Sequence, residues 1–299
     1  MKNSKRKQVG KTENLISNFR RIKFGEEVEA QKIDQKEKKN LACWSLIHPN
    51  ARVLRDAFDV LGDLLEDEIN IRVSVEGLRV KEMDPSHVCL AELEIPKKDL
   101  SDFAVVEEGP VMVSTKRLNG ALGRCRGSER VEFATEGGKL KVGFPDSQRV
   151  FWIPVLEGRE PEIPDPKLEF RAQMTIDPAE LLACLKDIED SGWETVQLAA
   201  EGRAAVLSAV NDGAEYAKRF EEGAVAEGRA VAYYNLGYLR SITTPKLGPV
   251  VLRWSDDTPL SATYTVGSGW LRFLLAPKVV GKEEGWDPSP FFSPGGGEG

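Results

Sequence analysis

Two stretches of the chain repeat one another. RVEFATEGGKLKVGF (130–144) and PVVLRWSDDTPLSATY (249–264) both read as strand, turn, strand, with Leu140 answering Leu260 and Phe144 answering Tyr264 at one shared offset. A duplication constrains a fold more tightly than any local propensity, because each copy must bury its apolar face in the same way. The rest of the chain supports it. Ile69, Ile71, Val73 and Val75 alternate along a strand that breaks at Glu76-Gly77, and the strand-like TVQLAAEG ends on Glu201-Gly202.

Each half also carries two helices. Val53 to Glu66 places Val53, Leu54, Ala57, Phe58, Leu61, Leu64 and Leu65 at helical spacing. Asp177-Pro178-Ala179-Glu180 is a helix start with Asp as the cap, Pro at the first position and Glu three residues after the cap; Leu181, Leu182, Leu185 and Ile188 follow as its buried face. Shorter helices are predicted over Thr115 to Cys125, with Leu118, Ala121, Leu122 and Cys125 inward, and over Asn235 to Thr243, with Leu236, Leu239 and Ile242 inward. Between the halves, LEGREPEIPDPK (156–167) is too rich in Pro and Glu for a helix or a central strand, and reads as an extended connector.

Composition narrows the class. With 41% hydrophobic and 30% charged residues over 299 positions, the chain can bury one large or two medium cores. No apolar run is long enough to cross a bilayer, and the basic N-terminus lacks the apolar stretch of a secretory signal, so the cytoplasm, in association with the nucleoid, is the expected compartment. Cys43, Cys89, Cys125 and Cys184 stand singly, which predicts reduced thiols, no metal site and no cofactor. The net charge of −7 hides an asymmetry: residues 1–40 hold 12 Lys/Arg against 6 Asp/Glu, leaving 29 against 42 for the remainder. Residues 1–41 therefore read as a basic tail, and 281–299, with WDPSPFFSPGGGEG, as a flexible one.

The stretch VKEMDPSHVCLAEL (80–93) sets Asp84, Ser86 and His87 within four residues, the parts of a hydrolase. Neighbours on an extended segment point to alternate sides and do not converge as a triad must. A turn is the better reading, and no catalytic residue is assigned.

EGLRVKEMDPSHVCLAEL resembles the signature segment of the proliferating cell nuclear antigen family of sliding clamps, in its archaeal form. IHPNARVL resembles the archaeal opening, LSAVNDGAEYAKRF the intersubunit strand of the second domain, and WLRFLLAPKVV the closing strand. LEGREPEIPDPK sits where that family's interdomain connector belongs. The resemblance runs from about Cys43 to Val280. It implies an α+β fold with two similar clamp-type domains, 42–154 and 168–280, joined by a connector over 155–167. Antiparallel sheets would lie outside and helices inside, with three chains closing head to tail into a pseudo-sixfold ring.

It also implies site residues. A pocket for partner peptides would use Met83, His87, Val88 and Leu90, Ile163 and Pro164 of the connector, Pro259, and Leu274, Ala276 and Pro277; Leu274 departs from the aromatic common in relatives. Clients would insert a short helical turn bearing one aliphatic and two aromatic residues. Arg55, Lys116, Arg117, Arg124, Arg126, Lys186, Arg240 and Lys246 are the implied DNA-facing cations, meeting phosphates without reading bases. The first helix opposes them, with Asp56, Asp59, Asp63 and Glu66 on its expected exposed face beside Arg55 alone. Edge strands near 149–155 and 213–221 would pair between subunits through Arg149, Val150, Phe151, Trp152, Ile153, Ala214, Tyr216, Lys218 and Phe220. Residues 13–20 (ENLISNFR) only faintly resemble a clamp-binding peptide.

The expected function is thus a non-enzymatic processivity factor that encircles duplex DNA without sequence preference. Its partners would be a clamp loader, DNA polymerase, flap endonuclease and DNA ligase, and copies of itself or paralogues in a trimer. The alternative is a specialised subunit that works only in a heterotrimer.

Overall fold

A computed structural model describes residues 42–158, 162–211, 214–279 and 287–292, with the side chains at 210, 211, 214 and 291 left aside. The basic tail, the peptide-like stretch 13–20, Gly213, and residues 280–286 and 293–299 of the second tail lie outside the described residues.

The first half runs β1 (Cys43–His48), α1 (Ala51–Leu65), β2 (Glu68–Ser74), β3 (Gly77–Met83), β4 (Cys89–Pro96), β5 (Ser101–Glu107), β6 (Gly109–Ser114), α2 (Thr115–Leu122), β7 (Val131–Glu136), β8 (Lys139–Phe144) and β9 (Arg149–Pro154). The second runs β10 (Ala172–Ile176), α3 (Pro178–Asp190), β11 (Thr195–Glu201), β12 (Ala204–Asn211), β13 (Ala214–Phe220), β14 (Ala224–Ala226), β15 (Arg229–Asn235), α4 (Leu236–Ser241), β16 (Val250–Trp254), β17 (Leu260–Val266) and β18 (Gly269–Leu275); a short turn, α5 (Ser289–Phe292), follows.

Pairing shows the duplication directly. Moving each strand of the first half nine places along reproduces the second: β1·β5 and β1·β7 become β10·β14 and β10·β16. Likewise β2·β3, β2·β6 and β3·β4 become β11·β12, β11·β15 and β12·β13. The β7·β8·β9 meander becomes β16·β17·β18. Leu140 and Leu260 do occupy equivalent places, opposite Ile153 and Leu275. The two Glu-Gly pairs do not. The hairpins match Ser74 with Glu201 and Gly77 with Ala204, so the turn residues slide by two between halves, and Val75 sits on that turn 59% exposed.

One pairing has no counterpart inside the chain. β18 lies antiparallel to β4, Leu271 opposite Leu93 and Phe273 opposite Ala91, which fuses the halves into a nine-stranded sheet ordered β14-β10-β16-β17-β18-β4-β3-β2-β6. A glycine makes the approach possible: a Cβ at Gly269 would stand 1.9 Å from the Glu94 carbonyl oxygen.

The helices follow their local signals. Asn50 Oδ1 accepts from Arg52 N at 3.0 Å, Asp177 Oδ1 from Ala179 N at 2.8 Å, and Asn235 Oδ1 from Tyr238 N at 3.1 Å, each satisfying an orphan N–H of a first turn. Leu54, Phe58, Leu61 and Leu65 line the fully or nearly buried stripe of α1, with Phe58 6.2 Å from Phe133 between ring centres. α2 stops at Leu122, short of the expected Cys125. Gly123 caps it, and tightened turns from Arg124 N to Ala121 O and Cys125 N to Leu122 O take over. α4 is likewise shorter than expected at both ends.

Candidate functional site

The Met83–Val88 turn is built around one carboxylate. Asp84, 2% exposed, accepts from the backbone N–H groups of Ser86 (2.9 Å), Val88 (2.6 Å) and Cys89 (2.6 Å), and from the Tyr238 hydroxyl (2.6 Å). Burial pushes its pKa upward, but the Tyr238 and backbone hydrogen bonds outweigh it and hold the carboxyl below the usual range. The turn forces His87 to φ 56°, with its ring exposed. Ser86 meets Asp84 through its amide. The carboxylate is thus committed to the backbone, and the polar trio forms a turn with no triad geometry.

That turn is one wall of an apolar cavity of about 610 Å³. Met83, His87, Val88 and Leu90 from the β3–β4 hairpin meet Ile163 and Pro164 of the connector, Pro259 of the β16–β17 loop, and Leu274 and Ala276 at the chain's closing strand. Nine of the ten residues named from sequence converge there. Pro277 does not line it. Glu82, Asp84, Pro85, Glu162 and Pro166 also line it and were missed; the Pro and Glu richness of the connector was the signal available for two of them.

On the far side of the connector lies a recess of about 550 Å³, walled by Arg72, Arg79, Lys81 and residues 162–165. Beneath it Glu92, fully buried, accepts from Arg272 Nε and Nη2 at 2.8 and 2.5 Å and lies 3.5 Å from Arg79 Nη2. Arg272 comes from β18 and Arg79 from β3, so the ion cluster crosses the join between halves.

The cations expected to face DNA divide into two groups. Arg55 is tied to Asp56 at 2.6 Å, Lys246 to Asp59 at 3.2 Å, and Arg240 to Glu189. Among the described residues, Lys116, Arg117, Arg124, Arg126 and Lys186 are exposed and form no ion pair. The acidic face of α1 needs correction. Asp56 is 5% exposed, held by Arg55 and, at 3.6 Å, by Arg52, and Asp59 is neutralised across the halves by Lys246. Asp63 and Glu66 remain exposed.

Two of the sheet edges are the expected ones: β9 ends the five-stranded sheet β5-β1-β7-β8-β9, and β13 ends β13-β12-β11-β15. On β9, Val150 and Trp152 are each 46% exposed. Phe151 packs at 6.1 Å against Phe144, and Ile153 is buried. On β13, Tyr216 is half-buried, Lys218 lies 3.7 Å from Glu180 of α3, and Phe220 is buried.

This duplicated two-sheet architecture, joined edge to edge, is a clamp-type fold. It is the fold of the proliferating cell nuclear antigen (PCNA). The PCNA of Entamoeba histolytica superposes with a TM-score of 0.74 at 19% identity, over 80% of this chain and all of that one. The PCNA of Thermococcus kodakaraensis does so at 0.73 and 23%, over 79% and 100%, and a chain of the PCNA2–PCNA3 complex of Sulfolobus tokodaii at 0.71 and 24%, over 78% and 99%. In sequence, the DNA polymerase sliding clamp of Thermofilum pendens is 27% identical over 244 residues, 78% of this chain and 98% of its own length. That of Methanothermobacter thermautotrophicus is 26% identical over 237 residues, 77% and 96%. No family model matches. Over most of its length the chain is thus similar to archaeal proteins named DNA polymerase sliding clamp. Among the described residues no helix is long and apolar enough to cross a membrane.

Proposed function

We propose that this chain is a DNA sliding clamp subunit, which closes with two further subunits around duplex DNA and tethers replication and repair enzymes through the apolar groove. The observation that carries the proposal is the join β18·β4. In the duplicated topology β18 is the equivalent of β9, and β4 of β13. The chain therefore uses one edge pair internally and leaves the counterpart strands, β9 and β13, at sheet ends without a strand partner. Carrying the register across places Arg149 opposite Lys218, Phe151 opposite Tyr216, and Ile153 opposite Ala214 in the next subunit. Two unprotected edges, otherwise a liability, would become one continuous sheet. The function needs no chemistry from the chain: processivity comes from topology, and the five unpaired cations would meet phosphates non-specifically. A loader would open the ring; polymerase, flap endonuclease and ligase would seat aliphatic and aromatic anchors in the groove. The proposed domain limits are 42–154 and 168–280, with the connector between.

The test is retention. Loaded with a clamp loader and ATP, the protein should stay on circular DNA and leave once that DNA is linearised; equal retention on both forms would sink the encircling reading.

A second reading, a subunit that pairs only with paralogues, has its own support. The internal equivalents of Arg149 and Lys218 are Leu271 and Leu93, both fully buried. Self-pairing would replace a leucine contact by two like charges, eased by Glu129 at 2.5 Å from Arg149 and Glu180 near Lys218.

A further inference from the structure

We propose that Lys81 is the positioning residue of the groove, which sets one of its walls by holding the connector against the sheet. The inference rests on the reading of the groove as a client site. Lys81 lies on β3, outside the groove, and its side chain is only 15% exposed. Its ammonium donates to the Ile163 carbonyl at 2.7 Å and to Asp165 Oδ1 at 2.5 Å, and faces Glu92 Oε1 at 3.8 Å. An ammonium has three donors and no acceptor; two of them meet connector oxygens at hydrogen-bond distance, and the Glu92 carboxylate faces it as an ion pair.

The connector depends on such an anchor. Pro164 and Pro166 flank Asp165 and offer no N–H, so this stretch cannot dock as a strand. Between the two prolines only Asp165 keeps an N–H, so this stretch docks mainly by accepting, through carbonyls and the carboxylate. The described hydrogen bonds of residues 162–166 both come from Lys81. The Lys81 hydrogen bond and charge also hold the Asp165 carboxyl below the usual range, with Arg79 and Arg272 adding to the field. Glu162, Ile163 and Pro164 line the apolar groove on one side and the cationic recess on the other. They form a partition one chain thick. Released from Lys81, the partition keeps only the long pair of Asp165 with Arg79 at 3.9 Å and can shift, taking Ile163 and Pro164 from their places opposite Val88 and Leu274.

The test uses the full chain and a synthetic helical peptide with one aliphatic and two aromatic anchors, titrated by calorimetry. Lys81→Met keeps the stem and removes the donors; affinity should fall roughly tenfold, the scale of a lost charge-assisted hydrogen-bond pair. Lys81→Arg, with its own donors, should recover most of it. Asp165→Asn should cost less, and combined with Lys81→Met should add little, because its main contact is already lost with Lys81 and only the long, exposed pair with Arg79 remains. Amide exchange should rise in 162–168 in Lys81→Met with the melting temperature unchanged, which a general loss of stability would not produce. Wild-type protein that takes up no peptide overturns the reading of the groove, and this proposal with it. Wild-type binding that Lys81→Met leaves unchanged, or exchange in 162–168 that stays at the wild-type rate, overturns this proposal alone.

Discussion

Asp84 shows how far a single residue can be read from sequence. MDPSH announces a turn, and an Asp that accepts from amides two to five residues ahead is ordinary turn chemistry. Its fourth donor, Tyr238, lies 154 residues further on and on a helix of the other half; nothing local in the sequence points to it. Asp56 is the opposite case: its helical position reads as exposed, yet its partners Arg52 and Arg55, four and one residues before it, fold over it. Asp84→Asn keeps the shape but replaces a charged acceptor with a weaker one that also carries donors, and should destabilise the chain by about 1–3 kcal/mol. Because the folded carboxyl titrates below its unfolded range, the stabilisation is complete above the ordinary carboxylate range and is lost as pH falls through the depressed value. Thermal melts of both proteins should show the wild-type advantage constant near neutrality and shrinking on acidification. His48, pushed down mainly by burial, loses stability below neutrality in both proteins and cancels in the comparison. A difference that does not change with pH would remove the ionised form of Asp84 from the account.

Elements were legible where periodicity was strong. α1 runs within two residues of its expected limits on the strength of its amphipathic stripe, and α3 begins at its expected cap, Asp177. α2 was overextended because Cys125 continues the apolar spacing while Gly123 ends the helix. The duplication was visible in β8 and β17, yet its partner in β2 and β11 was misaligned by two, since a Glu-Gly pair looks like a turn wherever it stands in one. Strand partners are the least legible, because edge pairing is a property of sheets, not of segments. β9 is the place to test it. Trp152 is 46% exposed, so Trp152→Lys should leave the fold and its circular dichroism intact. If β9 pairs with β13 of another subunit, Trp152 falls opposite Glu215 and packs at the seam. Its loss should then weaken self-assembly roughly tenfold or more, on the scale of an aromatic anchor at an interface. Light scattering across a dilution series measures this, and it also decides between the two readings. A wild-type chain that stays monomeric at every concentration pairs with paralogues.

For the whole molecule, the charge pattern and the duplicated fold make separate demands. An acidic body can hold DNA only if its few free cations share a surface. Replacing Arg124 and Arg126 by Ser should lower the slope of log affinity against log salt by about 1 per lost phosphate contact, with no change between DNA sequences. Fluorescence anisotropy at several salt concentrations reads it, and an unchanged slope would place both residues off the DNA path. The join β18·β4 carries a different lesson, one of mass action. Its two sides are tethered by residues 155–171, so each sees the other at an effective concentration on the order of millimolar, whatever the protein's abundance. The equivalent join proposed between copies would have no tether and would have to form at the free concentration of subunits. With subunits at about micromolar, identical contacts would differ by roughly a thousandfold in occupancy, about 4 kcal/mol. An assembly built from one join used both ways would therefore have seams of unequal strength even before the exchange of Leu271 and Leu93 for Arg149 and Lys218 is counted, and would part between chains long before it parted within one.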